Sequence, residues 1–397
     1  MSSIINELSD KMKKMPMNYD YIITGSGAAG LSLLYRILKD PVLNTKKILV
    51  IDQSEKKSND RTWCYWEKGK GLFEPIVFHK WKKLDFLSTN FSKRLNLEQY
   101  SYKMIRGIDF YNHVLNFSKK FENITFKQES VQQIQIENNC AIVETEKSKY
   151  SAQYIFNSTT LFHPKITIEN SLLQHFVGWV IQTKEPTFNS EIGTLMDFRV
   201  HQHHGDTFMY VLPTSKHEAL IEYTLFSKEV LQKEQYQIEL ESYIKEVLKI
   251  ESYEIVQKEF GVIPMSLAIF PRNPNSEKRI INIGTAGGFT KASSGYTFQF
   301  IQKNTEDIVN NLSKGKSPNP TISLREKMFQ WYDRTLIEVL ITQKMTGKDI
   351  FSIMFKKLSP ESILAFLGNE SSLIEDIKIM NSLPMKTFIM AGIKQLK

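Results

Sequence analysis

Three glycines near the start of the chain have the spacing of a dinucleotide-binding turn. Gly25, Gly27 and Gly30 follow a short apolar run at residues 21–23 and precede leucines and isoleucines at helical spacing. In a strand–turn–helix unit the first glycine makes the tight turn, the second lets the backbone approach a pyrophosphate, and the third allows close helix–strand packing. The phosphates would lie at the positive end of the helix dipole. The pattern predicts a site for an adenine dinucleotide.

Acidic, basic and aromatic residues follow the turn at positions suited to the same cofactor. Residues 47–51, a lysine followed by four apolar residues, predict a second strand that ends at Asp52, about 20 residues beyond the glycines, where a ribose-binding acid is expected. The next distinctive segment, residues 60–66, contains two tryptophans, and we expect it near the cofactor with Arg61 as a contact. Arg106 is either another cofactor contact or a solvated charge.

A second glycine-rich turn distinguishes FAD from NAD. Residues 279–283 predict a buried strand, which leads into Gly284, Gly287 and Gly288 and then into a helix over residues 298–312. Such a segment resembles the distal flavin-binding turn, where backbone N–H groups approach the ribityl phosphate and the ring. A nicotinamide dehydrogenase does not need it, so we expect the dinucleotide to be FAD.

Composition excludes several other classes. The 397 residues carry a net charge of +8, but the basic residues are scattered lysines without an arginine-rich patch, so we expect no nucleic-acid partner. Cys64 and Cys140 are far apart and the histidines at 201, 203 and 204 lack a zinc spacing, which indicates a reducing cytoplasm and no metal. No run approaches the roughly 18 apolar residues of a membrane span. A basic surface fits contact with anionic lipids.

The order of predicted elements indicates an α/β, two-domain flavoprotein. Residues 19–160 and 276–318 would form a discontinuous FAD-binding domain with a doubly wound, dinucleotide-binding sheet. Residues 161–275 would form a mixed substrate-binding β-sheet, and residues 319–397 a C-terminal helical region. Residues 1–18 are predicted to be a flexible leader.

The segments just described also resemble a known family. Residues 60–66, 105–111, 195–198, 210–213, 221–224, 261–265 and 284–298 are similar to bacterial lycopene cyclases of the carotenoid pathway. Residues 60–66 are the most specific of these segments, and the resemblance extends from about residue 19 to the end of the chain.

The resemblance implies a redox-neutral lycopene β-cyclase that uses reduced FAD, with NADPH as the electron source. An acid would protonate the terminal double bond of an acyclic carotenoid end, the neighbouring alkene would attack the resulting cation, and loss of a ring proton would give the β-ring. The substrate implies a protein peripherally associated with the inner face of the cell membrane. Chemistry of this type needs a buried acid with a raised pKa and an electron-rich group facing the cation.

Glu222 is the predicted acid. The acidic motif of the family falls on residues 221–224, where many relatives have two glutamates in tandem and this chain has Tyr223 in the second place. Strand alternation puts Glu222 on the face of Leu220 and Thr224. A solvent-facing Glu222 is the alternative, with Glu218 and Asp197 as other candidate acids.

Two further functions remain open at the sequence level. The chain could be an FAD- and NADPH-dependent monooxygenase or reductase of another polyprenoid, which would consume NADPH stoichiometrically. It could also be a non-catalytic carotenoid- or flavin-binding protein, for which Glu222 would be dispensable. The sequence does not determine β- against ε-ring formation, whether one or both ends react, or the oligomeric state.

Overall fold

A computed structural model describes residues 17–137, 140–319 and 321–396. The predicted leader therefore lies outside the described residues up to residue 16, as do the predicted hairpin-turn residues Asn138 and Asn139. The strands, in chain order, are β1 (Met17–Thr24), β2 (Ile48–Asp52), β3 (Thr62–Lys68), β4 (His79–Trp81), β5 (Lys83–Ser88), β6 (Phe91–Asn96), β7 (Tyr100–Arg106), β8 (Ile124–Gln128), β9 (Val131–Glu137), β10 (Cys140–Thr145), β11 (Lys149–Asn157), β12 (Ser171–Gln182), β13 (Ile192–Asp197), β14 (Asp206–Pro213), β15 (Glu218–Ser227), β16 (Glu254–Ser266) and β17 (Ile280–Asn282).

The α-helices of the described residues alternate with these strands and then dominate the C-terminal part. They are α1 (Ala28–Lys39), α2 (Gly107–Ser118), α3 (Lys233–Ser242), α4 (Phe298–Ser313), α5 (Leu324–Ile341), α6 (Gly347–Lys357), α7 (Pro360–Leu367), α8 (Leu373–Ser382) and α9 (Met385–Lys394). No helix of the described ranges is long and apolar enough to cross a membrane.

The first sheet is the predicted dinucleotide-binding sheet. Its order is β8-β2-β1-β11-β10-β9, and β17 pairs in parallel with the end of β11. Strands β8, β2, β1, β11 and β17 are parallel, whereas β9 and β10 form an antiparallel hairpin. The alternation of residues 124–126 and 131–145 predicts hairpin strands, but β8 pairs in parallel with β2, so this prediction is wrong for residues 124–126. The strands end at a common edge, where Thr24 donates to Asn157 Oδ1 (2.9 Å) and Asn157 Nδ2 donates to Asn282 Oδ1 (2.8 Å).

The second sheet is mixed and has the order β16-β12-β15-β14-β13-β5-β6. One face of β15 carries Ile221 and Tyr223, which pack in a core with α3. The opposite face carries Leu220 and packs in the core that contains the C-terminal helices. Both faces of the sheet are therefore covered.

Strands β5 and β6 belong to the second sheet, although the predicted domain division places them in the FAD-binding domain. They lie within residues 19–160, yet β5 pairs in parallel with β13 and β6 pairs with β5, so they extend the second sheet. A third sheet with the order β3-β7-β4 lies next to them in the chain. The chain therefore passes repeatedly between the sheets. The domain boundaries stay a prediction.

The predicted α/β flavoprotein architecture is confirmed, including both strand–glycine–helix units and the C-terminal helices. The pattern of residues 236–248 predicts a helix, which begins earlier, at Lys233, and whose last turn widens into a π-helix over Tyr243–Val247. The pattern of residues 262–267 predicts a strand, but β16 already begins at Glu254. The longer strand includes Glu259.

Candidate active site

A cavity of ≈340 Å³ lies between the second sheet and the segment that follows the second glycine turn. Strands β3, β7, β12, β14, β15 and β16 contribute to its wall, and residues 294–298 form the side nearest the first sheet. Ligand pockets have volumes of about 300–1,000 Å³, so this cavity suits a small group or one end of a longer molecule.

The side chain of Glu222, on β15, lines this cavity. Successive side chains of a strand point to opposite faces, so Glu222 shares its face with Leu220 and Thr224, as predicted. Thr224 Oγ1 donates a hydrogen bond of 2.6 Å to Glu222 Oε1. Burial, followed by the charge of Glu259, raises the pKa of Glu222 to about 8. A carboxyl group in this state is a proton donor near neutral pH.

Glu259 on β16 is the second carboxyl group of the cavity, and Gly178 lies between the two acids. On the central strand β12, Gly178 pairs with Glu222 on one side and with Glu259 on the other. Because residues directly opposite share a face, the side chains of Glu222 and Glu259 lie on the same face on either side of the glycine, and both line the cavity. A Cβ at Gly178 would be only 2.9 Å from Glu259 Cγ. Because glycine has no side chain, residue 178 leaves room for both glutamate side chains.

Glu259 is held from the opposite side by β3. Thr62 Oγ1 donates a hydrogen bond of 2.7 Å to Glu259 Oε2, and the side chain of Glu259 is 9% exposed. Burial raises the pKa of Glu259, while Thr62, Glu222 and the positive charge of Arg61 act in the opposite direction.

The first glycine turn has the geometry that its spacing predicts. Gly25 has a φ of +95°, and a Cβ there would lie 2.1 Å from Ser158 Oγ. A Cβ at Gly30 would lie 1.9 Å from the carbonyl oxygen of Gly25, so the helix packs too closely on the turn for a larger residue. No described atom lies within 4 Å of a Cβ built at Gly27, the residue preceding α1. Space is open where a pyrophosphate would approach.

Asp52 ends β2 beside this turn. Its Oδ2 accepts hydrogen bonds from the Ser26 N–H (2.6 Å) and the Ser26 hydroxyl (3.0 Å), and Lys56 Nζ is 3.5 Å away. Asp52 therefore lies at the helix N-terminus, as a ribose contact requires.

The second glycine turn lies against the first. Residues Gly284–Gly287 form a 3₁₀ turn, and Gly288 ends it with a φ of +76°. A Cβ at Gly284 would lie 2.8 Å from Ala29 Cβ, and one at Gly287 would lie 2.2 Å from the carbonyl oxygen of Asn282. The two turns thus require glycine for close backbone approach.

Unpartnered polar atoms border the cavity beyond this second turn. Gln174 Oε1 and Ser294 Oγ are buried and have no hydrogen-bond partner among the described residues. Gly295 lies beside Gln174, and a Cβ there would be 2.3 Å from Gln174 Oε1. Because buried polar groups normally have partners, these atoms fit the polar edge of a bound ring such as a flavin.

The two arginines predicted as cofactor contacts lie in different places. Arg61 lines the cavity, and its Nη1 donates to the carbonyl oxygen of Phe260 (3.3 Å). Arg106 forms two hydrogen bonds with Asp109, of 2.6 and 3.0 Å, and its guanidinium covers the ring of Phe78. Arg106 is not part of the cavity wall.

The other candidate acids lie outside the cavity wall. Asp197 is fully buried and pairs with Arg199 and with the hydroxyl of Tyr243, which donates at 2.7 Å. Glu218 accepts a hydrogen bond of 2.7 Å from Thr214 at the start of β15. In the described ranges, no group of three or more His, Cys, Asp or Glu side chains is arranged to hold a metal ion.

The sequence reasoning did not single out Glu259 and Gly178. Their relation depends on the register of β15 and β16 across β12, which is a long-range pairing that local sequence patterns do not specify. The β-branched residues Ile255 and Val256 and the aromatic Phe260 favour a strand, and they are the signal that could have extended β16 to Glu259.

Comparison with solved structures identifies the fold. A flavoprotein/dehydrogenase from Cytophaga hutchinsonii superposes with a TM-score of 0.62 and 13% identity, covering 96% of this chain and 99% of that chain. A geranylgeranyl bacteriochlorophyll reductase-like protein from Thermoplasma acidophilum gives 0.61 and 11%, covering 95% and 99%. A flavin-dependent brominase gives 0.59 and 11%, covering 94% and 100%. The fold is that of FAD-dependent oxidoreductases and halogenases.

A family comparison is more specific. The sequence model described as lycopene cyclase protein matches residues 20–392. The chain belongs to the lycopene cyclase family, as its resemblance predicted. A comparison with curated protein sequences gives no significant match.

Proposed function

We propose that this protein is a lycopene β-cyclase that converts the acyclic ends of lycopene to β-rings, giving β-carotene through the monocyclic intermediate. The observation that carries the proposal is the position of Glu222. This partly buried carboxyl group lines the same small cavity as residues 294–298, which follow the predicted flavin-binding turn. Family membership supports the substrate class.

In the proposed reaction, Glu222 donates its proton to the terminal double bond of the substrate. A tertiary carbocation forms, the neighbouring alkene attacks it to close the ring, and the ring then loses a proton. One proton enters and one leaves, so the product is an isomer of the substrate. The wall offers aromatic rings toward the cation, among them Trp63, Tyr102 and Tyr296, and a cation over such a ring is stabilised by about 0.5–2 kcal/mol.

The cofactor in this proposal is reduced FAD, with NADPH as its electron source. Gly25, Gly27, Gly30 and Asp52 would hold its adenosine diphosphate part, and Gly284, Gly287 and Gly288 would admit its ribityl chain. Arg61 would contact it from the cavity wall, whereas Arg106 would act through α2, whose start it flanks. When bound in its reduced form, the flavin supplies negative charge beside the cation.

The substrate also suggests where the protein acts. Lycopene is a hydrocarbon that dissolves in a bilayer, so its cyclase must reach a membrane surface. Helices α8 and α9 expose large apolar side chains, which we call the C-terminal apolar set: Leu373, Ile374, Ile377, Met385, Ile389, Met390 and Ile393. Exposed Lys378 and Lys386 stand beside them and favour anionic lipids. We infer peripheral association with the inner face of the cell membrane.

The test is expression in cells that accumulate lycopene, followed by chromatography of the pigments. We expect β-carotene with the native sequence and unchanged lycopene with Glu222→Gln, although that variant should retain flavin. Glu218→Gln is the matched control, because Glu218 lies on the same strand outside the cavity wall, and it should behave as the native protein.

Other outcomes would redirect the assignment. A purely monocyclic product would keep the reaction and limit it to one end. Stoichiometric consumption of NADPH and oxygen would identify a monooxygenase or reductase of another polyprenoid. Unchanged product formation in Glu222→Gln would contradict the role of this residue.

A further inference from the structure

The two carboxyl groups of the cavity are close enough for the charge of Glu259 to oppose ionisation of Glu222. Both residues pair with Gly178 across the sheet, Glu222 from one side and Glu259 from the other, and both side chains line the cavity. Like charges at such a separation cannot both ionise easily, so a pair of this kind holds one proton near neutral pH.

The surroundings of the pair are asymmetric. Thr62 donates to Glu259 at 2.7 Å, and the positive charge of Arg61 acts on the same carboxyl group. Glu222 receives the hydroxyl of Thr224 at 2.6 Å and has no comparable cation among the described residues that act on it. Each acid thus has a hydroxyl donor, but the positive charge favours ionisation of Glu259.

We propose that Glu259 is the ionised member of a one-proton carboxyl pair and keeps the proton on Glu222 until the substrate accepts it. Glu259 is a positioning residue in this proposal, because it acts through Glu222. The reaction that uses the proton rests on the proposed function. The pairing itself rests on the register of β15 and β16 about Gly178.

The pair also accounts for the proton that enters and the proton that leaves the substrate in each reaction cycle. When the O–H bond of Glu222 breaks and a C–H bond forms on the substrate, two carboxylates face the cation and stabilise it. The proton that the ring carbon then releases returns to the pair, which regains its single proton. The step needs no oxidant, reductant or further acid.

Other titratable groups near the pair cannot take over the role of Glu259. Cys64 on β3, Tyr102 on β7, Tyr210 on β14 and Tyr296 beyond the second glycine turn line the same cavity. Burial raises the pKa of each of these groups, so they stay neutral at the pH where the pair titrates. Arg61 is the cation of the cavity wall.

The experiment compares the native protein, Glu259→Gln, Glu222→Gln and the control Glu218→Gln, all loaded with flavin. Cyclisation of lycopene in vesicles is measured against pH, and the C=O stretch of protonated carboxyl groups is titrated by infrared difference spectroscopy. Removing the negative charge of Glu259 lowers the pKa of Glu222. We therefore expect Glu259→Gln to move both the alkaline loss of activity and the carboxyl titration down by about one pH unit or more.

Each result has a distinct meaning. Glu222→Gln should lose the activity and the raised carboxyl signal, and Glu218→Gln should retain both. An unchanged titration midpoint in Glu259→Gln would overturn the pair. If the native protein does not cyclise lycopene, the proposed function fails, yet the infrared titration still decides whether the pair exists.

A second variant guards against misfolding of Glu259→Gln. In Gly178→Ala, the added methyl group displaces the flexible side chain of Glu259 and leaves both carboxyl groups in the chain. The infrared titration should shift in the same direction as for Glu259→Gln. A folded Gly178→Ala protein with the native midpoint would also contradict the proposal.

Discussion

Two glycines of the first turn differ in what a methyl group would meet. At Gly30 an added Cβ would overlap the carbonyl oxygen of Gly25, whereas at Gly27 no described atom lies within 4 Å. Gly27 also has a φ of −80°, which any residue adopts without strain. The two positions therefore separate folding of the turn from binding of its ligand.

We predict that Gly27→Val folds but loses the cofactor. The side chain would occupy the space through which the pyrophosphate approaches the helix N-terminus, which should weaken flavin binding at least about tenfold, or 1.4 kcal/mol. The flavin content of the purified protein and its melting temperature without flavin measure the two effects. Normal flavin content would contradict the assignment of the turn, and Gly30→Ala should by contrast fail to fold properly.

The pKa of Glu222 makes a prediction about pH. A proton donor works only while it is protonated, and the pKa of this residue is raised to about 8. Activity should therefore hold at neutral pH and fall as the pH rises through about 8. The pH profile of cyclisation at saturating lycopene checks this, and an alkaline fall near the ordinary pKa of a glutamate would refute it.

The same shift affects stability. A group whose pKa is higher in the folded than in the unfolded protein contributes stability below its unfolded pKa and loses it as the pH rises through the folded one. The free energy of unfolding should thus decrease between about pH 5 and about pH 9, and Glu222→Gln should lessen that decrease. Urea titrations at several pH values measure the difference, with Glu218→Gln as the control.

At the scale of elements, a buried ion pair attaches the C-terminal helices to the second glycine segment. Lys291 Nζ lies 2.6 Å from Asp333 Oδ1 on α5 and donates to Asn369 at 2.7 Å, and the Ser293 hydroxyl also donates to Asp333. The side chain of Lys291 is 1% exposed. This arrangement fixes residues 291–293, which lead directly into the cavity wall.

We predict that Asp333→Ala both destabilises the protein and weakens flavin binding. It leaves the charge of Lys291 buried without its partner, which costs about 3–5 kcal/mol. Glu191→Gln is the control, because the Lys83–Glu191 pair spans 3.7 Å with side chains that are 47% and 76% exposed, and its loss should cost less than about 1 kcal/mol. Chemical unfolding and flavin titration measure both effects, and equal losses in the two variants would contradict the role of Asp333.

The elements explain which parts of the site were predictable. Gly25–Gly30 and the turn at Gly284 carry their own strand–turn–helix context, so local sequence suffices to predict their structure. Glu222 was predicted from its motif and from strand alternation. Glu259 and Gly178 required the pairing of three strands across more than 80 residues of sequence, which period-2 patterns do not specify. The addition of β5 and β6 to the second sheet is also a long-range pairing without a local signal.

At the scale of the whole molecule, the C-terminal apolar set predicts a membrane-facing side. Replacing Ile374 and Ile389, which are 68% and 56% exposed, by glutamate should reduce binding to vesicles of anionic lipid without reducing stability. Sedimentation with vesicles measures the binding. Activity on lycopene in detergent should persist, because neither residue lines the cavity.

A matched control lies on another surface. Ile238 on α3 is 63% exposed, and its replacement by glutamate should leave vesicle binding unchanged. Equal loss of binding in both variants would point to general electrostatic repulsion rather than to α8 and α9.

The path of β5 and β6 has a mechanical consequence for the complete molecule. The chain leaves the first sheet, contributes two strands to the second and then returns to the first. We therefore expect that neither sheet unfolds without disrupting hydrogen bonds of the other. Heating should accordingly produce one calorimetric transition with equal van't Hoff and calorimetric enthalpies, rather than two steps. Sheets joined in this way should also resist a hinge motion, and we therefore expect a ligand to enter a preformed cavity rather than to be enclosed by a domain closure.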